Sequence, residues 1–246
     1  MSKRNSSANL KNGFQDIKDL STVFQKFKKN LDILNKKEYL IAVSGGPDSL
    51  ALVALSMAYK FQRKTKFHYV LVDHNIRKNS NLEAKKVRNL LKEKKINLKI
   101  FRNTKKIIKN FQAEARNSRY EILINYCKKK NIKTLLTAHN LEDQVETFFI
   151  RLSRGSGLKG LSSMKPLSKI NGQVRLYRPL LEVKKKFLIK ITKNIFGKYF
   201  KDPSNKNIKY LRTKVRNLRK PLENSGIKYE QIFKSIQNLS LSKKTL

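Results

Sequence analysis

Six consecutive residues, Ser44-Gly45-Gly46-Pro47-Asp48-Ser49, have the types and spacing to hold a phosphate group. They stand between two apolar runs, Tyr39–Val43 and Leu50–Leu55, a context that predicts strand, tight turn, helix. The glycines allow a sharp turn and a close approach of backbone to a ligand. Amides at the start of the helix then converge with partial positive charge, which suits an anion. Asp48 adds a carboxylate where a phosphate-bound Mg²⁺ would lie. The loop lacks the Lys that follows the second glycine of a Walker loop and reaches the outer phosphates. It also lacks the Gly-x-Gly-x-x-Gly dinucleotide fingerprint. An ordinary strand–turn–helix with an N-capping Ser has the same local pattern.

Five further segments carry candidate chemistry. In Asp73-His74-Asn75-Ile76-Arg77, Asp73 could accept from a ribose or a lysine amine, and Arg77 could meet phosphate. A helix-entry Asp beside a basic residue is the alternative. In Thr137–Thr147, His139 and Asp143 are four apart and would share a helix face, a candidate acid–base or ligand pair. The alternative is a capping His with first-turn acids favoured by the helix dipole. Arg116, Arg119 and Tyr120 also have one-face spacing, with guanidinium forks for phosphate and a ring for stacking on a base. A Glu–Arg pair beside a core Tyr would look the same. Arg151 precedes a glycine-rich helix end. Arg212 and Arg216, four apart after the Asp202-Pro203 turn, form a candidate phosphate-contact stripe or simply a basic solvated face. The lysine runs at 128–130 and 184–186 read as solvated faces.

The elements around these motifs alternate. Apolar residues at helical spacing mark a helix over 16–34. Strands are expected at 39–43, 67–72, 97–101 and 133–137, with helices over 80–95 and 111–130 between them. This rhythm predicts an α/β fold, a parallel sheet with helices on both faces. Ligands in such folds bind beyond the carboxyl ends of strands. Ser44, Asp73 and His139 each follow a strand, so three motifs are expected to meet in one crevice. Residues 174–181 read as an extended segment that Pro179 confines to an edge or to no strand. A basic helix follows over 182–195, and residues 207–246 read as two helices broken at Pro221 and Gly226. The expected organisation is a flexible basic tail over 1–15, a catalytic domain over 16–200 and a small C-terminal helical appendage over 201–246.

The chain has 246 residues with 57 Lys+Arg against 17 Asp+Glu, a formal net charge of +40. Such a charge favours a polyanionic partner through counterion release, although a lysine-rich surface composition would also produce it. The single cysteine, Cys127, allows no internal disulfide and no cysteine-rich metal site, and it fits a reducing compartment. No apolar run approaches the roughly 20 residues needed to cross a bilayer. The cytoplasm is the expected location. The acid-free first dozen residues leave an organelle stroma as the alternative.

The ordered set Ser44–Ser49, Asp73–Arg77, Glu114–Tyr120, Thr137–Thr147, Arg151–Leu161, Arg178–Val183 and Asp202–Asn205 with Arg212 and Arg216 resembles the tRNA(Ile)-lysidine synthetase family. That family is a branch of the ATP pyrophosphatases, and this chain looks like a short form of it. The resemblance implies an adenine nucleotide alpha hydrolase-like fold. It implies a reaction in which ATP activates the wobble cytidine of an isoleucine tRNA with a CAU anticodon. The base oxygen attacks the α-phosphate, pyrophosphate leaves, and the ε-amine of free lysine displaces AMP at carbon 2. It implies ATP and Mg²⁺ as cofactors, with Ser44, Gly45, Gly46, Pro47, Asp48, Ser49, Asp73 and His74 on ATP. Asp48, His139 and Asp143 would be catalytic, Asp48 and Asp143 on metal, and Asp143 alternatively on the lysine amine. Arg77, Arg116, Arg119, Arg151, Arg212 and Arg216 would serve tRNA. A homodimer is one open assembly. The rivals are a tRNA thiolation enzyme of the same class, disfavoured by the lone cysteine, a small-molecule amidating synthetase, and a non-catalytic basic RNA-binding module.

Overall fold

The computed structural model describes residues 18–75, 79–104, 111–203 and 207–245. The expected tail over 1–15, Arg77, and Ser204 and Asn205 of the expected turn lie outside the described residues. Helix α1 (Lys18–Leu34) leads into β1 (Glu38–Val43), α2 (Pro47–Gln62), β2 (Lys66–Asp73), α3 (Ser80–Glu93), β3 (Leu98–Arg102), α4 (Phe111–Lys129) and β4 (Thr134–Leu136). Then come α5 (Leu141–Leu152), the single turn α6 (Leu158–Leu161), the hairpin β5 (Leu167–Asn171) and β6 (Val174–Tyr177), and α7 (Lys185–Phe196). Three helices close the chain: α8 (Leu211–Asn217), α9 (Arg219–Asn224) and α10 (Tyr229–Thr245).

The strands form one sheet in the order β3-β2-β1-β4-β6-β5. The first five are parallel and β5 runs antiparallel to β6. Strand alternation divides the core. Tyr39, Ile41 and Val43 of β1 face a large cluster with Phe27 of α1, Leu52 of α2, Val87 of α3 and Ile191 of α7. Leu40 faces the opposite way, against Leu123, Tyr126 and Cys127 of α4. The sheet is thus buried on both faces, as parallel strands require. Chain direction across the sheet diverges between β1 and β4, where β1 continues to β2 on one side and β4 neighbours β6 on the other. A crevice opens at such a switch point, beyond the strand ends. The loop after β1 and the His139 segment after β4 flank it.

Two expectations change. Residues 174–177 form an interior strand paired with β4 and β5, and Pro179 falls just past its end. The actual edge, β5, was not expected: none of its residues is fully buried, and hairpin pairing across Gly172 holds it. The C-terminal segment forms three helices rather than two. The first break falls at Leu218, and Pro221 sits in the first turn of α9, where its missing N–H leaves no intrahelical bond unmade. The second break is at Gly226, φ +86°. These helices pack on α5 through a small cluster of Leu141, Val145, Tyr229 and Ile236. Among the described residues no helix is long and apolar enough to cross a membrane.

Gly45 is where the turn is most demanding. Its φ is +79°, and a Cβ built there would lie 2.5 Å from Val87 Cγ2. Gly45→Ala should therefore lose about 1–2 kcal/mol from the left-handed backbone alone, plus the cost of the clash. Urea denaturation should show that Gly45→Ala costs less in a Val87→Ala background than in wild type, the clash being relieved and the backbone part remaining. No cost at all in that background would remove the backbone constraint.

Candidate active site

The phosphate-loop motif folds as a self-braced turn. Ser49 Oγ accepts from the Ser44 amide at 3.1 Å, lies 3.1 Å from Ser44 Oγ and donates to the Gly46 carbonyl at 3.0 Å. The helix behind it, α2, has Gly46 as N-cap and no side-chain cap bond. Ser44 is therefore not a capping serine: it braces the loop, and the first amides of α2 meet no side-chain acceptor. Helix α7 and the segment after it support the loop from outside. Thr192 Oγ1 donates to the Pro47 carbonyl at 2.6 Å, and the Phe200 amide donates to the Gly45 carbonyl at 3.0 Å.

Asp48 lies at the mouth of this turn. Its Oδ1 is buried with no hydrogen-bond partner among the described residues. Its Oδ2 is 3.5 Å from Lys185 Nζ. Burial, with Asp143 and Glu142 adding repulsion and Lys185 opposing them, pushes its carboxyl up to about 6. An acceptor oxygen left without a donor in a negative neighbourhood is what a divalent cation would satisfy, so the residues fit a Mg²⁺ ion at Asp48. Among the described residues there is no cluster of three or more metal-ligating side chains, so phosphate oxygens and water would complete its shell.

His139 and Asp143 do not form the expected helix-face pair. Helix α5 starts at Leu141, so His139 precedes the helix, and its Nδ1 lies 2.9 Å from Thr137 Oγ1. Asn140 is the N-cap. Its side chain accepts from the Asp143 amide at 3.0 Å while Asp143 Oδ2 accepts from the Asn140 amide at 3.1 Å, a reciprocal capping box. Asp143 Oδ1 accepts from Arg212 Nη2 at 2.9 Å. Both Asp143 oxygens are thus engaged, and a role on metal or on an amine requires Arg212 to give way. Burial, then Arg178, Arg116, Arg212 and Arg119, lower His139 to about 3. It is a neutral imidazole at pH 7, and a polyphosphate placed among those guanidiniums would offset their effect.

The basic residues divide by contact. Arg116 lies over the Tyr120 ring, 5.1 Å from its centroid. Arg119 Nε donates to His74 Nε2 at 3.1 Å. Burial and Arg119 lower His74 to about 4, and its Nδ1 is buried without a partner among the described residues. Asp73 is occupied locally: Oδ1 accepts from the Asn75 amide at 2.9 Å. Arg151 clamps the following loop by donating to the Gly160 and Ser163 carbonyls at 2.7 and 2.9 Å. Arg212 and Arg216 face inward rather than forming an open stripe. They donate to the two oxygens of Glu146 at 2.6 and 2.7 Å. Arg219 reaches Glu142 at 3.4 Å.

Glu142, Glu146, Arg178 and Lys185 were not expected at the site. The one-face spacing of Glu142 and Glu146 on α5 was visible in the sequence; their partners on α8 and α9 were not. Arg178 is buried, bonds the Lys165 carbonyl and Ser168 Oγ, and leaves its Nε without a partner among the described residues.

The family model for the PP-loop domain matches residues 18–222. A tRNA(Ile)-lysidine synthase from Orientia tsutsugamushi is 42% identical over 183 residues, 74% of this chain and 41% of that protein. One from Wolbachia pipientis wMel is 37% identical over 231 residues, 93% of this chain and 53% of that protein. The chain spans about half the length of these relatives. A solved structure of the U34-tRNA thiolase NcsA from Methanococcus maripaludis with its [4Fe-4S] cluster superposes with a TM-score of 0.74 at 21% identity. It covers 89% of this chain and 79% of that one, a likeness of fold.

Because burial disfavours the charge of Asp48, Asp48→Asn should stabilise the protein above the usual carboxylate range. The folded carboxyl titrates higher than the unfolded one, so wild type loses stability as pH rises from about 4 through about 6. Thermal unfolding at pH 8 should favour the variant by on the order of 1–3 kcal/mol, with the two proteins converging near pH 4. A variant less stable than wild type at pH 8 would contradict this account of Asp48.

Proposed function

The chain belongs to the PP-loop family of ATP-binding domains, and from that premise we propose that it ligates lysine to carbon 2 of the wobble cytidine in a CAU-anticodon isoleucine tRNA. The observation that carries the reading is the loop itself: a braced turn and, among the described residues, a helix N-terminus without a side-chain cap and a buried carboxylate oxygen without a donor. The ordered motifs and the lysidine synthase relatives supply the reaction.

In this reading Ser44 and Ser49 keep the loop in shape while its amides and the N-terminus of α2 hold the β- and γ-phosphates. Asp48 would hold Mg²⁺, which supplies neutralisation of phosphate charge. Asp73 and His74 would line the nucleoside side, with the His74 Nδ1–H free to donate. Arg116, Arg119 and buried Arg178 surround His139, and a flipped anticodon base entering there would find guanidinium planes and the Tyr120 ring. The cytidine oxygen attacks the α-phosphate, the bond to pyrophosphate breaks, and the lysine ε-amine then displaces AMP at carbon 2. Asp143 and Glu146 offer the ammonium its carboxylates, in place of Arg212 and Arg216, and one of them takes the proton whose loss makes the amine a nucleophile. Those arginines, once released, are candidates for tRNA phosphates. Arg151 would act by holding the loop over 153–163, and Arg77 remains a candidate phosphate contact. The charge of +40 suits the polyanion.

The thiolation alternative shares the fold, but Cys127, the one cysteine of this chain, is buried in α4 against the sheet, and burial pushes its thiol up to about 12. That is an inert thiol. Purified protein given ATP, unmodified isoleucine tRNA and labelled lysine should retain label on the tRNA, with AMP and pyrophosphate released together. Release of ADP, or label that never joins the tRNA, would reject the proposal.

A further inference from the structure

The three lysines at 184–186 have three different environments. Lys184 pairs with Glu230 of α10. Lys186 lies over the Phe187 ring, 5.1 Å from its centroid. Lys185 alone turns to the phosphate loop, its Nζ 3.5 Å from Asp48 Oδ2. It is the first residue of α7, and its backbone amide is fixed by Glu142 Oε2 at 2.9 Å. The helix that carries it is tied to the loop at Pro47 through Thr192, and the segment that follows the helix is tied to it at Gly45 through the Phe200 amide. The amine therefore has a stem of fixed origin and a defined reach.

We propose that Lys185 is a phosphate ligand of the loop, its ammonium meeting the outer, pyrophosphate end of the bound nucleotide. The inference rests on the proposed reading of residues 44–49 as the pyrophosphate grip. Three observations carry it. The loop has no lysine of its own, so the charge a Walker loop supplies in sequence must come from elsewhere in space. Asp48 by itself would repel a polyphosphate, and Lys185 is the only cation paired with it among the described residues. The contact is longer than the 2.7–2.9 Å or so of a tight charge-assisted bond, and the Lys185 side chain stays 37% exposed at the mouth. The amine is thus poised beside the loop without being locked to Asp48. Its role on phosphate needs no bond to be made or broken, only a change of anionic partner.

Calorimetric titration with inorganic pyrophosphate, with and without Mg²⁺, tests this on wild type and on Lys185→Ala, Lys185→Met, Lys185→Arg and Lys186→Ala, with thermal unfolding alongside. Lys185→Ala should weaken pyrophosphate binding roughly tenfold or more. Lys185→Met, which keeps the stem, should do the same if Ala disturbs the helix. Lys185→Arg should recover most of the loss, and Lys186→Ala, with the same change in net charge, should bind as wild type does. If wild type binds pyrophosphate and both uncharged Lys185 variants bind it within about twofold, Lys185 serves only to neutralise Asp48 and the inference fails alone. If wild type does not bind pyrophosphate, the reading of the loop fails and the inference falls with it.

Discussion

At Gly45 the chain leaves β1 with φ +79° and passes so close to Val87 that no side chain fits. That single left-handed residue decides where α2 begins and which way its first amides point. The serine pair at 44 and 49 then braces the turn from within, and it is braced from outside by Thr192 of α7 and by the Phe200 amide just past that helix. The loop is therefore set before any ligand arrives, which removes an ordering cost from binding. Because the sheet diverges between β1 and β4, the same turn also fixes the distance from the loop to the His139 segment. The site is a consequence of where one glycine permits the backbone to go.

Charge organises the other wall. Seventeen acids face fifty-seven basic residues in this chain, and three of the acids lie together on α5. Glu142 and Glu146 are buried, so each must be paired or pay a large desolvation penalty. Arg212, Arg216 and Arg219 provide those pairs, and with the Leu141–Tyr229 cluster they dock the C-terminal helices against α5, beside the candidate site. Those helices are consequently part of the candidate site's electrostatics. Any ammonium that enters at Asp143 competes with Arg212, and any phosphate that recruits Arg212 leaves Asp143 and Glu146 available.

The sheet was legible because strand alternation and helical spacing are local signals. The strands over 38–43 and 66–73 carry them fully. The edge strand over 167–171 does not, because its pairing comes from the hairpin and none of its residues is fully buried. The loop was legible from residue types alone. The placement of His139 was misread, although Asn140 and Asp143 carry the spacing of a capping box, which sets the helix start one residue beyond the N-cap and leaves His139 outside it. The inward turn of Arg212 and Arg216 was not legible at all. Their partner Glu146 is 66 and 70 positions away, and a basic helix face looks the same whether it meets solvent or acids. The same holds for Lys185, which sequence cannot distinguish from its two neighbours.

In the proposed reaction the loop over 44–49 holds pyrophosphate while a tRNA base is adenylated, before lysine takes part. Exchange of labelled pyrophosphate into ATP measures that step directly. With isoleucine tRNA present and lysine omitted, label should enter ATP, and omission of the tRNA should abolish the exchange. Exchange that proceeds equally without tRNA, or that appears only when lysine is added, would contradict the account.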